Sequence, residues 1–528
     1  MSLKPHLLLF IILLSLSFAG HSNLPGVSGL YACVFDQITL THATAPYQVD
    51  EVPEVYFVYN FTPIKFSHIQ TFFPRSNPAE DQFDELSPLS TRMWGDSIDE
   101  RTFIACSKST KAKPRAGRPV SSNDKFNVIL SEPANCTGGK DTLGICALHS
   151  QNFTGNGITI AILDYQYYMD RLSERELPRK RIEIFDGPFS EDERHGTACA
   201  EIIGDVAPNA TLYMVGLSDV SEDGFVEAID KLQNLDRKID IVSCSVDSYS
   251  GLFEGQDSIC RAVRNLTRNG TIWVNAAGGS ALKHWNGTFR DKDGNGFNEF
   301  ALDDETLNLV LKRGMSLSVW LSWNDSWTRS RQDYDLYLHA PDGTNVLSSN
   351  PQKGYEGQKP LEAISLMAPV SGNYSIKIKK YNASKENMEF QLFASQNISE
   401  YNFENSSLGV LASCPEVITV GAVDASTLRL ENYSSRGPTI GGRLKPELVA
   451  PDNVTTASYM PDKFRGSSAS APYVAGLFAL ALEKGRKLGL SDTKIERMVL
   501  NSTIDLGPSG PDNGYGYGLI NLNKLAGL

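Results

Sequence analysis

Short apolar runs and longer amphipathic runs alternate along much of this chain. Gly157-Ile-Thr-Ile-Ala-Ile-Leu163 is a β-branched run that ends at Asp164, as a buried strand does. Asp240–Asp247 reads as a further strand, and Ile272-Trp-Val-Asn-Ala-Ala-Gly-Gly-Ser280 as another that runs out into small residues. Two segments carry the helical pattern. One starts at His195 and continues through Ala198–Ile203, and the other follows the Gly/Ser turn at 466–470 into Leu477–Leu482. From about 305 to 400 the period changes to two. Leu317–Trp323, Tyr334–Leu338 before a Pro-Asp-Gly turn, Asn373–Lys379 and Met388–Phe393 alternate apolar and polar positions. Short alternating strands at this spacing predict an antiparallel β-sandwich.

The N-terminus adds a compartment. Met1–His6 carries a lysine, Leu7–Phe18 is apolar and Ala19-Gly20 is small, which is the pattern of a secretory signal peptide over 1–19. The apolar run is short for a membrane span of about 20 residues. Sequons at Asn60, Asn135, Asn152, Asn265, Asn269, Asn286, Asn373, Asn397 and Asn453 fit a glycosylated, exported protein. So does an even set of 8 cysteines, with Cys136–Cys146, Cys244–Cys260 and Cys33–Cys106 as pairs to test. Secretion or display at the cell surface is therefore expected. A net charge of −13 argues against a nucleic-acid partner. Residues 20–145 form a separate N-terminal region, a propeptide or an accessory domain, containing a basic Pro- and Gly-bearing stretch at 107–118 that reads as an exposed linker.

Three residues carry candidate chemistry. Ser468 lies at a helix start, where unpaired N–H groups and the macrodipole favour a developing oxyanion. His195 supplies a base whose pKa lies near working pH, and Asp164 at a strand end can orient it. Their order and motifs resemble the subtilisin-like serine proteases (subtilases), which use Asp, His and Ser in this sequence. His195-Gly-Thr197 is intact, and Gly466-Ser-Ser-Ala-Ser-Ala-Pro472 is similar to the nucleophile motif, with Ser467 and Ser470 as replacements. Val206–Val215, Pro415–Ala422, Tyr433–Pro438 and Lys445–Pro451 are similar to lesser landmarks. The resemblance covers roughly 150–285 and 405–528. It implies a doubly wound parallel α/β sheet at 150–300 and 405–528, interrupted by the sandwich at 305–400. That insert resembles a prepeptidase C-terminal-like domain. A secreted monomeric endopeptidase acting on proteins or peptides is the expectation, with no cofactor needed for catalysis.

Two positions depart from the family. The oxyanion-hole Asn belongs where Gly279 stands, leaving the backbone N–H of Ser468 as the surviving donor; Asn275 lies too early in the strand. Loss of one such donor costs about 10²–10³ in turnover. In the substrate-binding stretch Ser245-Val246-Asp247, Asp247 takes the place of a Gly, where it recruits a basic substrate residue or obstructs the cleft. The alternative to an active protease is a relic of the family that serves as an extracellular binding protein. Finally, Asp291-Lys-Asp-Gly-Asn-Gly-Phe-Asn-Glu299 sets Asp291, Asp293 and Asn295 as ligands of a structural calcium or as a plain polar turn. Leu302 stands where an EF-hand loop has its closing Glu, so Glu299 or Asp303 would have to serve.

Overall fold

The computed structural model describes residues 143–527, apart from 166, 168–176, 178–181, 187–193, 252, 254, 256, 350–357 and 386. Of Ile182–Asp186 and of six short strands before residue 143, only the backbone is described. The signal peptide, the linker, the Cys33–Cys106 pairing and Cys136 otherwise lie outside the described residues. The chain divides into two compact units, Met1–Asn127 and Val128–Leu528. In the first, β1 (Ile12–Leu14), β2 (Tyr31–Phe35), β4 (Ile69–Phe73) and β5 (Ser87–Pro88) form an antiparallel sheet, and β3 (Val55–Phe57) pairs with β6 (Ile104–Cys106).

The second unit opens with α1 (Ile145–His149) and is built on a nine-stranded sheet. Its elements are β7 (Thr159–Asp164), β8 (Ile182–Asp186), α2 (His195–Val206), β9 (Thr211–Gly216), α3 (Glu222–Gln233), β10 (Ile241–Cys244), α4 (Ser258–Thr267) and β11 (Ile272–Ala276). After an insertion of eight strands, β12 to β19, the same sheet resumes. It continues with β20 (Val417–Asp424), β21 (Leu448–Asp452), α5 (Ser467–Lys487), α6 (Asp492–Leu500), β22 (Thr503–Ile504), β23 (Leu519–Ile520) and α7 (Asn523–Ala526). The order across the sheet is β22-β23-β21-β20-β11-β10-β7-β9-β8, and every pairing but β22–β23 is parallel.

Alternation along β7 shows why both faces are covered. Ile160 and Ile162 enter one core with α2 and α5, while Ala161 and Leu163 enter the opposite core with α3 and α4. A parallel sheet needs helices on both sides, because each strand is apolar on both faces. After β7 the chain builds β8 and β9 on one side and then crosses to β10 on the other. The carboxyl ends of β7 and β10 thus flank a topological switch point, where such sheets place their sites. Helices α2 and α5 cross closely at Gly476; a Cβ there would lie 2.7 Å from the Val206 side chain.

The insertion forms two four-stranded antiparallel sheets. One runs β12 (His284–Thr288), β19 (Glu389–Ala394), β14 (Ser316–Trp323), β17 (Leu361–Met367); the other runs β13 (Leu307–Leu311), β18 (Gly372–Asn382), β15 (Asp333–His339), β16 (Asn345–Ser348). Leu317, Val319, Leu321, Ile364 and Leu392 of the first sheet share one core with Leu309, Leu336, Leu338 and Ile376 of the second. Strand β12 already belongs here, so this unit begins at His284, before the Asp291 loop. The period-two signal misses β12 because only Trp285 enters the insertion's core from it, with Gly287 next on that face and His284 packed on Phe393 on the opposite one.

One disulfide joins Cys260 on α4 to Cys414 before β20, so the expected Cys244–Cys260 pair is not formed. Cys244 is a free, buried thiol whose Sγ donates to the Val246 carbonyl at 3.3 Å. It ends β10 in the middle of the sheet, while Cys260 sits on the helix face turned toward residues 410–414; proximity in sequence was a poor guide to proximity in space. Cys146 is disulfide-bonded as well.

Candidate active site

Asp164 ends β7 with its side chain fully buried. Its Oδ1 accepts the Tyr165 N–H at 2.8 Å, and its Oδ2 accepts Nδ1–H of His195 at 2.7 Å. That bond fixes the orientation of the imidazole ring. His195 is the first residue of α2. Its ring is held between Tyr165, with centroids 6.0 Å apart, and the edge of Phe464, 5.4 Å away. Arg194, just before it, donates to the Ser458 carbonyl at 2.9 Å and lies over Tyr459, which packs on Phe464.

Ser468 is in the first turn of α5, after Gly466 at φ +113°, a conformation that favours glycine. The Gly466 N–H donates to Asp452 Oδ2 at 2.9 Å, and Tyr433 donates to the same oxygen, so the end of β21 anchors the turn that carries the serine. Burial, and then Asp452, push the Tyr433 phenol well above its ordinary pKa, which keeps it a donor. Ser468 Oγ donates to the Ser245 carbonyl at 3.1 Å, and the Ser468 carbonyl accepts from Ser245 Oγ at 3.1 Å and from Cys199 Sγ at 3.5 Å. Cys199 follows His195 by four residues and so lies on the same helix face. Asp164, His195 and Cys199 each bring a polar atom within 4.8 Å of the others. The starts of α2 and α5 therefore meet over the end of β7. Burial, with Asp164 nearby, raises the Cys199 thiol well above its usual range, so it remains an S–H donor.

The segment after β11 is tied to the turn that carries Ser468. Gly278 N–H donates to Ser467 Oγ at 2.9 Å, and that hydroxyl donates back to the Gly278 carbonyl at 3.1 Å. Gly279 follows directly, and a Cβ built on it would meet nothing within 4 Å. The Asn275 side chain is spent inside the strand: its Oδ1 accepts from Trp273 Nε1 and its Nδ2 donates to the Ala276 carbonyl. Ser280 is buried, its hydroxyl 2.7 Å from Tyr249 Oη.

Ser245 and Val246 extend from β10 beside Ser468. Asp247 turns aside: Oδ1 accepts the N–H groups of Ser248 at 2.7 Å and Leu411 at 2.8 Å, and Oδ2 accepts that of Ala412 at 3.1 Å. Burial pushes its carboxyl up to about 7 against these donors, which pull it down. This accounts for an acid at 247 without a substrate cation.

The Asp291 loop closes on itself. Asp291 Oδ2 accepts Gly296 N–H at 3.2 Å, Asp293 accepts from the Asn295 N–H and amide, and Asn295 Oδ1 accepts Phe297 N–H at 2.8 Å. Asn295 also donates to Glu305, and Glu299 accepts the Lys292 N–H at 3.1 Å. Sequence reasoning missed Cys199, Phe464, Tyr433 and Asp452 around the site. The i+4 spacing of Cys199 from His195 was a usable signal; the others are assembled only by tertiary contact.

Comparison with known proteins follows this geometry. A profile of the Subtilase family matches residues 323–518. Bacillopeptidase F of Bacillus subtilis (strain 168) is 32% identical over 120 residues, which is 21% of this chain and 8% of that protein. Serine protease AprX of the same organism is 29% identical over 129 residues, 20% of this chain and 28% of that protein. The aligned stretches thus cover less than a third of either relative. Among solved structures, the Clostridium perfringens CspB protease matches with a TM-score of 0.53 and 19% identity over 73% of this chain and 98% of that one, which shows a shared fold. Together these findings support the subtilase family.

Proposed function

We propose that the chain is a secreted serine endopeptidase acting through Ser468, His195 and Asp164. The observation that carries this is the 2.7 Å Asp164–His195 bond at the sheet's switch point, with Ser468 on the neighbouring helix start. In this reading Ser468 Oγ turns from the Ser245 carbonyl to His195 Nε2, gives up its proton and attacks the peptide carbonyl. Asp164 holds the imidazole in the reactive tautomer and stabilises the imidazolium. The Ser468 N–H donates to the oxyanion. His195 then protonates the leaving amine, and water hydrolyses the acyl-enzyme by the same steps in reverse. Ser245 and Val246 pair with the substrate backbone. Peptides are the substrates, and a monomer suffices.

Export is supported by the N-terminal pattern and by the exposure of sequons Asn152, Asn265, Asn269, Asn373 and Asn397. Among the described residues no helix is long and apolar enough to cross a membrane. The two-sheet insertion is read as a prepeptidase C-terminal-like sandwich. Asp291, Asp293 and Asn295, with Glu299, are proposed as ligands of a structural calcium at its base.

Gly279 favours a second reading, an extracellular binding protein with little or no turnover, because no side-chain amide stands at the oxyanion position. Labelling with a fluorophosphonate probe and mapping of the modified peptide test the first reading. Labelling at Ser468, lost in Ser468→Ala, supports a competent nucleophile. Labelling without peptide turnover favours the second reading, and labelling that persists in the variant removes Ser468 from the role.

A further inference from the structure

The insertion gives two large side chains to the core of the parallel sheet instead of its own. Trp320 on β14 and Phe393 on β19 are cross-strand neighbours. The residues on either side of them, Val319, Leu321, Leu392 and Ala394, enter the core between the insertion's two sheets, so Trp320 and Phe393 face the opposite way. There they pack with Phe253 and Val410 against the core that holds α3 and α4. Phe393 is 1% exposed.

The ring that meets both is Tyr249, in the loop after β10. It stacks on Phe393 with centroids 4.6 Å apart and lies tilted against Trp320 at 5.5 Å. Its phenol oxygen is 2.7 Å from Ser280 Oγ. Ser280 is 3% exposed, and its N–H donates to Ser435 Oγ at 2.9 Å. Ser435 donates its own N–H to the Gly278 carbonyl at 3.0 Å. Gly278 exchanges two hydrogen bonds with Ser467, the residue before Ser468. The fit is close: a Cβ on Gly278, whose φ is +100°, would lie 3.0 Å from Ser435 Oγ and 3.8 Å from Tyr249 Oη. A continuous set of contacts thus runs from β14 and β19 through one phenol to the start of α5.

We propose that Tyr249 is a positioning residue through which the docked insertion holds the Gly278–Ser280 turn against the start of α5. This rests on the reading of Ser468 as the nucleophile. Two aromatic neighbours in a close-packed core leave the Tyr249 ring little freedom, so its hydroxyl marks a fixed point to which Ser280 is tied. Without the hydroxyl, the buried Ser280 Oγ loses its phenol partner. The Gly278–Ser280 turn can then shift from Ser467, and Ser468 shifts with the helix start. A small displacement of a reacting group is costly in rate, and the loss falls on turnover more than on substrate binding. The insertion is in this account part of the framework of the site, whatever its outer surface binds.

The test uses the full chain, with steady-state kinetics on a peptide amide, thermal melts, and hydrogen exchange read over residues 278–281. Tyr249→Phe keeps both ring contacts and removes the hydroxyl. It is expected to lower kcat by about tenfold with KM little changed, and to quicken exchange at 278–281. Phe393→Leu keeps the core apolar and removes the stack, with the same two changes expected. Because Phe393 acts through Tyr249, the double variant should fall within about twofold of Tyr249→Phe alone. Leu336→Ala, in the insertion's own core, should lower the melting temperature and leave kcat and exchange at 278–281 as in the wild type. The proposal is overturned if exchange at 278–281 is the same in Tyr249→Phe as in the wild type, if the losses in Tyr249→Phe and Phe393→Leu add in full, or if kcat falls as far in Leu336→Ala as in Tyr249→Phe. A wild type that fluorophosphonate does not label at Ser468 removes the nucleophile reading instead; exchange that quickens in Tyr249→Phe and Phe393→Leu would still support the brace.

Discussion

Ser245 and Ser468 exchange two hydrogen bonds, each hydroxyl donating to the other's carbonyl at 3.1 Å. The end of β10 and the start of α5 are thereby held in register. In the proposed mechanism the Ser245 hydroxyl holds the Ser468 carbonyl throughout, while the Ser468 hydroxyl leaves the Ser245 carbonyl to react. Ser245→Ala removes the first bond and leaves only the weak Cys199 donor. We expect kcat to fall about tenfold, the equivalent of about 1.4 kcal/mol in the barrier, with KM little changed. Steady-state kinetics on a peptide amide check this; a rise in KM alone would assign Ser245 to substrate binding only.

Gly279 has ordinary backbone geometry and open space where a side chain would go. An amide there would add a donor for the oxyanion. Since removing one such donor costs about 10²–10³ in turnover, Gly279→Asn is expected to raise kcat by about tenfold or more with affinity unchanged. A variant that folds and binds a substrate-derived inhibitor but gains no activity would place the limitation elsewhere.

The elements that carry Asp164, His195 and Ser468 were legible because each residue lies at a period boundary: Asp164 where the β-branched run stops, His195 and Ser468 where helical runs begin. Small-residue runs such as Gly466–Pro472 survive only where helix packing is tight, and so they stand out. What stayed hidden depends on contacts between distant segments. Cys260 reaches Cys414 rather than Cys244 because α4 and the 410–414 turn meet over the sheet. Asp247 reads as a cleft residue until Leu411 and Ala412, more than 160 residues away, present their N–H groups to it. The start of the insertion was misplaced because β12 carries a buried histidine on one face and a glycine on the other, which breaks the apolar–polar alternation.

Asp247 is therefore expected to act on stability. Asp247→Ala orphans the Leu411 and Ala412 N–H groups and is expected to cost about 2–3 kcal/mol, read as a shift in a denaturant midpoint. Selectivity between Lys and Leu at the residue before the scissile bond should be unchanged. A selective loss of cleavage after Lys would instead put the carboxylate in contact with substrate.

The Asp291 loop is expected to bind calcium weakly, since its carboxylates already serve its own N–H groups. Thermal melts of the wild type in calcium and in chelator should differ, and Asp293→Ala should reduce that difference without changing the melting temperature in chelator by more than a degree or so. Equal calcium responses in both proteins would leave the loop as a polar turn.

His284 gives the fold a pH dependence that can be isolated. It is fully buried at the entry to the insertion, with Nδ1 2.8 Å from the Phe403 carbonyl, Nε2 2.7 Å from the Gln391 side chain and its ring on Phe393. Burial lowers its pKa in the folded protein, against the two hydrogen bonds, which raise it. Unfolding returns it to about 6.5. As pH falls through that value the unfolded chain takes up the proton first, so stability contributed by the neutral imidazole is complete above about 6.5 and is lost on acidification. His284→Gln keeps hydrogen-bonding capacity without titrating. Its stability, relative to the wild type, should therefore improve between pH 7.5 and pH 5, measured as the difference between the two midpoints at each pH. Ser280 lies four residues upstream and is tied to Tyr249, which stacks on the same Phe393. Protonation of His284 should consequently loosen residues 278–280 as well as the junction. Hydrogen exchange at residues 278–286 that rises with acidification in the wild type and not in His284→Gln would show that coupling. Equal exchange in both proteins would confine the histidine to the insertion.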